Sequence, residues 1–106
     1  MSTYEIKKLV NQIAEQMQIE TRLFVRVVVF KNKIASVSFN SHILRLNRDF
    51  VRLSNVSLLR YIIIHELVHI KLGHHYHNKE FYQEIKKYLE GEILQYDKEI
   101  YNLMVS

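Results

Sequence analysis

The stretch HELVHIKLGHHYHNKEFY, residues 65–82, contains five of the six histidines in the chain. Histidine is the side chain that most often binds metals through a neutral nitrogen. The pattern HELVH places His65 and His69 four residues apart, hence on one face of a helix, with Glu66 beside them. Because the chain has no cysteine, any transition-metal site must be built from His, Asp or Glu. The sequence therefore predicts a metal site at His65 and His69, with zinc as the expected ion.

The length and composition are typical of a single folded domain. A chain of 106 residues with 48% hydrophobic and 25% charged side chains can bury one modest core, so residues 1–106 are predicted to form one domain. Apolar runs such as YIII are far too short to cross a membrane, and the N-terminus is amphipathic and does not have the pattern of a secretory signal. We therefore expect a cytoplasmic protein that has no membrane partner.

The charge balance gives little support to a nucleic-acid partner. The net charge is +4 and the pI is near 9.4, which permits an acidic partner. The lysines and arginines are spread along the chain, however, without a basic arm or an aromatic-rich RNA-binding pattern. We expect most of them to be solvated surface charges.

The first half of the chain predicts one helix followed by three strands. Ser2 and Glu5 have the spacing of a capping box, and apolar residues then recur at helical spacing over residues 4–17. TRLFVRVVVF, IASVSF and HILRLN are rich in β-branched and aromatic residues and are separated by short polar turns. This pattern favours a three-stranded antiparallel meander.

The second half predicts helices. Ser54 or Ser57 can cap a helix that runs through HELVH and ends at Gly73, where helices favour a left-handed residue. This helix is apolar on almost every side, so we expect it to be buried against the sheet. A helix then begins near Asn78, and Gly91 separates it from a last helix, EILQYDKEIYNLM. The predicted fold class is α+β: an N-terminal helix, the meander, the buried histidine helix and two C-terminal helices.

Two helix histidines do not complete a catalytic zinc site, which usually keeps three protein ligands and one water. The third ligand must come from beyond the helix, and the candidates are His74, His75, His77, Glu80 and Glu84. Of these, His77 lies one helical turn before Phe81, so the packing of Phe81 would fix the direction of its imidazole.

Residues 42–85 resemble the YgjP-like zinc metallopeptidases. The shared features are ILRLN, the apolar stretch that leads into HELVH, and HNKEFY, which fits the pattern H-x-x-x-F-[WY]. SprT- and Wss1-type proteases are similar in their HExxH motif and in the later H-x-x-x-F. The resemblance implies a zinc peptidase with His65, His69 and His77 as metal ligands and with Glu66 as general base.

Two features of these families leave the third ligand open. The YgjP-like proteins usually place it ten residues after the first histidine, which here is His75. The minigluzincins, stand-alone domains that this chain resembles in length, take a glutamate from the later helix, which here is Glu84. We favour His77, because a loop can lengthen by two residues whereas the helical register between His77 and Phe81 cannot change.

These residues predict hydrolysis of a peptide or protein substrate, in which Glu66 moves a proton from water to the leaving amine. HILRLN, if it forms the sheet edge, can pair with an extended substrate. The candidates for stabilising the developing oxyanion are Tyr76, Tyr82, His74 and His75.

Three other functions fit the same pattern. The first is a zinc hydrolase with a non-peptide substrate such as a nucleotide, since metal chemistry transfers between proteins better than substrate choice. The second is a non-catalytic binding module that the metal only staples together. The third is a latent peptidase, because the apolar stripe of the last helix can cover a cleft or pair with another subunit to form an oligomer.

Overall fold

The computed structural model describes residues 1–89, which form four helices around a three-stranded sheet. In chain order the elements are α1 (Thr3–Gln16), β1 (Phe24–Val28), β2 (Ala35–Ser38), β3 (Ile43–Asn47), α2 (Arg48–Leu53), α3 (Val56–Leu72) and α4 (Lys79–Lys86). The predicted last helix and its proposed contacts lie outside the described residues. Within residues 1–89, no helix combines the length and apolar character needed to cross a membrane.

Helix α1 begins where the sequence predicts. The Glu5 amide donates to Ser2 Oγ at 3.1 Å and the Ser2 amide donates to Glu5 Oε1 at 3.0 Å, which completes the capping box. The apolar positions of the helix are buried in the core, and α1 packs on α3. Arg60 of α3 also donates to the Gln16 side chain at 3.1 Å.

The sheet is mixed, so the predicted antiparallel meander is wrong. Its strand order is β1-β3-β2, with β1 parallel to β3 and β2 antiparallel to β3. The β2–β3 hairpin is local, but the connection from β1 to β2 passes beyond the end of β3. Alternating hydrophobicity determines which face a strand buries, and it carries no information about which strand lies beside it. The three predicted strands were therefore found, but β3 lies in the centre.

Asn47, at the end of β3, holds this crossing connection. Its side-chain amide donates to the Lys33 carbonyl at 2.8 Å. Its side-chain oxygen accepts from the amides of Asp49 and Phe50 at 2.9 and 3.1 Å and so caps α2. No helix was predicted in this segment, although an Asn followed by an Asp in the first turn is a typical helix start.

Replacing Asn47 separates these two roles. We expect Asn47→Ala to lower the free energy of unfolding by about 1–3 kcal/mol, because both the cap and the bond to the Lys33 carbonyl are lost. Asn47→Ser keeps an oxygen for the cap and should regain about 1 kcal/mol of that loss. Urea unfolding of the three proteins measures both effects. Equal stability of all three would contradict this role for Asn47.

Helix α3 forms the centre of the core. Every residue from Tyr61 to His69 is buried, and α3 contacts α1, β2 and α4. The helix is capped by Asn55, whose side chain accepts from the Leu58 amide at 2.8 Å, and not by Ser54 or Ser57 as predicted. Ser54 instead ends α2, which the sequence analysis did not anticipate.

Candidate metal centre

The buried length of α3 positions the first two histidines. His65 and His69 are 1% and 3% exposed, and their ring centroids lie 5.0 Å apart on one face of the helix. A buried imidazole needs a hydrogen-bond partner or a metal to replace the water that it has lost. Two such groups side by side in an otherwise apolar helix are therefore evidence for a ligand.

The chain then turns back so that a third histidine faces these two. Gly73 ends α3 with φ of 75°, a left-handed conformation that glycine adopts without steric cost. After the short loop, Asn78 caps α4 by accepting from the Phe81 amide at 3.0 Å. The Phe81 ring is fully buried, with its centroid 4.9, 4.7 and 5.0 Å from the rings of His65, His69 and His77. Phe81 therefore fixes the orientation of the whole group.

The three imidazoles converge. One ring nitrogen from each of His65, His69 and His77 lies within 4.8 Å of the others, and the His69 and His77 Nε2 atoms are 3.2 Å apart. Two nitrogens bound to one tetrahedral zinc at 2.0–2.1 Å stand about 3.3 Å apart. The spacing of the donor set therefore fits a zinc ion.

The protonation of His69 supports the same conclusion. Burial, with the nearby His65 and His77 rings, lowers the pKa of His69 to about 3, so its ring is neutral near pH 7. Its Nδ1 lies 3.0 Å from the His74 carbonyl, which can accept only from a protonated nitrogen. The Nε2 lone pair therefore points towards His77, as a metal ligand requires.

Glu66 lies beside His65 and lines an open cleft together with His69 and His77. Its side chain is 4% exposed, and its Oε1 atom lies 3.6 Å from His65 Nδ1, too far for a good hydrogen bond. That His65 nitrogen is buried and has no hydrogen-bond partner among residues 1–89. Glu66 also lines the cleft, so its carboxylate can reach a molecule bound there.

The cleft has a volume of about 410 Å³ and is bounded by a sheet edge and by the histidine loop. Its lining residues are Lys33, Ala35, Ser36, Val37, Glu66, His69, His75 and His77. Strand β2 therefore forms the wall. HILRLN is the central strand β3, so the prediction that it would pair with a substrate at the sheet edge is wrong.

The other candidate ligands have different surroundings. His75 is exposed, lines the cleft and packs on Phe39 with centroids 4.2 Å apart, but it is not in the three-histidine cluster. His74 Nε2 lies 3.3 Å from Glu80 Oε1. Of the four residues suggested for oxyanion stabilisation, only His75 lines the cleft, and Tyr76 is 72% exposed.

Glu84 connects α4, which follows the His77 loop, to α3, which carries His65 and His69. Its carboxylate pairs with Lys71 of α3 at 2.8 Å, with Lys87 at 2.9 Å and with the Tyr88 hydroxyl at 3.0 Å. Lys71 also donates to that hydroxyl at 2.6 Å. This network was not predicted from the sequence, where its one signal is a lysine in the last turn of α3.

The network makes stability depend on acid pH. The bond to Lys71, followed by that to Lys87, lowers the pKa of Glu84 from 4.5 to about 2. The carboxylate therefore stabilises the fold above pH 4.5, and this contribution is lost as the pH falls towards 2. Since Lys87 is largely solvated, we expect the ionised Glu84 carboxylate to contribute only about 1–2 kcal/mol to the free energy of unfolding.

Unfolding of the chelator-treated protein across this pH range measures the effect. Wild type should lose stability more steeply than Glu84→Gln between pH 4.5 and pH 2. Lys71→Met should also make stability less dependent on pH than in wild type, because it removes the main partner of Glu84. Identical slopes for wild type and Glu84→Gln would contradict the assignment. Protonation of the buried histidines acts equally in all three proteins and cancels in the comparison.

Three converging imidazoles, a buried carboxylate and an adjoining cleft are the features of a metal-dependent hydrolase. Comparison with known proteins supports this class of protein. The chain matches the YgjP-like metallopeptidase domain over residues 2–99, and it belongs to the YgjP-like metallopeptidase family.

Relatives and solved structures extend the comparison. The chain is 38% identical over 84 residues to an uncharacterised protein of Methanocaldococcus jannaschii, which covers 79% of this chain and 76% of that protein. It is also 32% identical over 80 residues to an uncharacterised protein of Aquifex aeolicus. This match covers 76% of this chain and 72% of that protein. The crystal structure of the metallopeptidase zymogen jannalysin, from M. jannaschii, superposes with a TM-score of 0.81 at 35% identity and covers 93% of this chain and 97% of that one. The zymogen of Pyrococcus abyssi abylysin gives a TM-score of 0.77 at 28% identity and covers 90% of each chain.

Proposed function

We propose that this protein is a zinc-dependent peptidase in which His65, His69 and His77 hold the metal and Glu66 is the general base. The observation that carries the proposal is the convergence of three imidazole nitrogens within 4.8 Å, two from the buried His65 and His69 and one from the partly buried His77, beside a carboxylate that lines a cleft. Membership of a metallopeptidase family supports the same chemistry.

The edge of β2 supports a peptide substrate. The Asn47 amide donates to the Ile34 carbonyl at 2.8 Å, so the alternation of an antiparallel ladder directs the backbone groups of Ser36 and Ser38 to β3 as well. The backbone groups of Ala35 and Val37 then point away from β3, towards the cleft that they line. An extended peptide can pair with these groups as an added strand and lie across the histidines.

In this mechanism the protein controls where the proton is. Zinc, when bound, supplies a Lewis acid that polarises the scissile carbonyl and lowers the pKa of water. Glu66 accepts the proton of the attacking water and delivers it to the leaving amine, which restores the carboxylate for the next cycle. Its burial excludes competing solvent, and His75 lies in the cleft where it can donate to the developing oxyanion.

Latency forms part of the proposal. The two structural neighbours are zymogens, and the wild-type chain is expected to be activated by removal of a covering segment. The segment predicted for this role, and for an oligomer contact, is the last helix, which lies outside the described residues. A cytoplasmic location, inferred from the cysteine-free composition, completes the proposal.

One assay separates this proposal from a nucleotide hydrolase and from a metal-stapled binding module. Zinc-loaded protein is incubated with a casein-like unfolded substrate and, separately, with nucleoside triphosphates, before and after limited proteolysis and with a chelator control. We expect cleavage of the polypeptide alone, lost on chelation. Phosphate release would support the nucleotide hydrolase. A folded, zinc-loaded and proteolysed protein that cleaves neither substrate would support the binding module.

A further inference from the structure

The sheet region of the molecule is strongly basic. Residues 21–53 contain seven lysines and arginines and one acidic residue, Asp49, which pairs with Arg52 at 3.4 Å. Over the whole chain the ratio is 15 to 11. The positive charge that the sequence analysis treated as scattered is therefore concentrated on and around the three strands.

Three side chains form a row across the outer face of the sheet. Arg26 of β1 lies opposite Arg45 of β3, and Arg45 lies opposite Ser36 of β2. Residues opposite one another in a sheet point to the same face, which here is the one away from the buried Val25, Leu44 and Ala35. The row thus starts at the exposed Arg26 and ends at Ser36, which lines the metal cleft.

Nothing in the described chain neutralises this row. Within residues 1–89, no carboxylate lies within ion-pair distance of Arg26 or Arg45, nor of Lys33, which also lines the cleft. Like charges placed directly opposite each other on neighbouring strands destabilise a sheet. Folding alone therefore gives no reason for two adjacent guanidinium groups, whereas a negatively charged ligand does.

The row continues into a second cleft at the opposite edge of the sheet. This cleft, of about 520 Å³, is lined by Lys7, Asn11, Arg22, Leu23, Phe24, Val25 and Arg26. The Arg22 guanidinium stacks over the exposed Phe24 ring at 5.3 Å. Basic side chains thus extend from the metal cleft to the far edge of the sheet.

We propose that a basic face, formed by Arg26 and Arg45 on the outer side of the sheet and by Lys33 at the cleft, selects polypeptide substrates with acidic side chains near the scissile bond. The proposal rests on the proposed peptidase function, because it assumes that a substrate pairs with β2. A chain paired with β2 places alternate side chains on the outer face, next to the small Ser36. Since neighbouring strands are about 4.8 Å apart, the long Arg45 side chain can reach past Ser36 to a carboxylate in that position. Lys33 reaches the same substrate from the end of the cleft.

A peptide fits this face better than a nucleic acid does. Proteins that bind single strands on a sheet stack bases on several aromatic side chains, and the outer face of this fully described sheet carries one, Phe24. The row also leads to the strand edge at which a peptide backbone can pair.

Peptide binding to a cleavage-defective protein tests the proposal separately from catalysis. Fluorescence anisotropy is measured on zinc-loaded Glu66→Gln, both full-length and after the limited proteolysis that is expected to activate the wild-type chain. The probes are an unstructured peptide that has Glu at alternate positions and the same peptide carrying Gln. We expect the Glu peptide to bind at least about fivefold more tightly at low salt, with the difference shrinking as salt is added. Arg45→Gln and Lys33→Gln should each reduce the preference. Arg26→Gln should reduce it less, because β1 lies one strand farther from the substrate than β3. Lys8→Gln, the matched loss of charge on α1, should leave it unchanged.

Each other outcome overturns the proposal. These outcomes are equal affinity for the two peptides, no measurable binding of the Glu peptide to the full-length or the proteolysed protein, and a preference that survives all three variants. A single-stranded oligonucleotide that binds more tightly than the Glu peptide, and loses affinity in Arg45→Gln, would identify a nucleic-acid surface instead. Cleavage of the Gln peptide by the chain with Glu66 intact tests the peptidase function separately, so the two can fail independently.

Discussion

Glu66→Gln should retain zinc and lose hydrolysis of an unfolded polypeptide by at least about 100-fold relative to the activated wild-type protein. Glutamine has the shape of glutamate, so the buried position beside His65 stays filled. It cannot accept a proton from water, and the proton transfer that starts the reaction is lost. The measurement is the rate of peptide release at saturating zinc, together with the zinc content of each protein.

The comparison needs proteins that differ only in the base. Wild type and Glu66→Gln are activated by the same limited proteolysis, and circular dichroism checks that both are folded. His75→Gln serves as a second reference, since it changes a cleft residue outside the histidine cluster and should lower the rate by a smaller factor. Unchanged hydrolysis in Glu66→Gln would remove the assigned role, and loss of zinc in that variant would make Glu66 a structural group.

Local sequence signals predicted most elements but not their arrangement. The capping box at Ser2 and Glu5, the stop at Gly73 and the start at Asn78 are each determined by a few neighbouring atoms, and all three lie where predicted. β3 lies between β1 and β2, and the connection that crosses its end is held by Asn47, whose side chain reaches 14 residues back to the Lys33 carbonyl. No hydrophobic period contains information about such a contact.

In the candidate site, too, local features could be predicted from the sequence and long-range ones could not. The spacing of His65 and His69 determines that they share a helix face, so their proximity was predictable from sequence. The approach of His77 was predicted from a helical register with Phe81, but His77 precedes the Asn78 cap and lies outside α4. Its ring contacts the fully buried Phe81 ring, with centroids 5.0 Å apart, and this contact orients it instead. The strand beside the substrate was predicted to be β3, but β2 forms the wall of the cleft. The identity of this strand depends on the strand order, which the sequence pattern does not contain.

The basic face was missed for a related reason. Along the sequence, Arg26, Lys33 and Arg45 are separated by many apolar residues and resemble isolated surface charges. The pairing of β3 with both other strands brings them together. A charge pattern that depends on strand order becomes visible only when the sheet topology is known.

His65→Ala, His69→Ala and His77→Ala should each reduce zinc affinity by at least about 100-fold, whereas wild type should carry one zinc per chain. Each of these imidazoles supplies one of the three converging nitrogens, and two remaining ligands hold zinc far less tightly. Elemental analysis of untagged protein and competition with a chromogenic chelator measure content and affinity. Stoichiometric zinc of unchanged affinity in His65→Ala or His69→Ala would rule out the site.

The third ligand is decided by comparing residues that touch the metal with residues that only hold the loop. His75→Ala should leave zinc affinity close to that of wild type, because His75 lies outside the cluster. If His77 is the ligand, Glu84 acts only by tying α4 to α3. Glu84→Gln and Lys71→Met then break the same contact, and each should lower zinc affinity by a similar factor, at most about tenfold. If Glu84 were the ligand, as in the minigluzincin arrangement, Glu84→Gln would lose the metal while Lys71→Met kept it. The partner variant thus distinguishes a missing ligand from a loosened loop, because lysine contributes to the tie and cannot coordinate zinc while it is protonated.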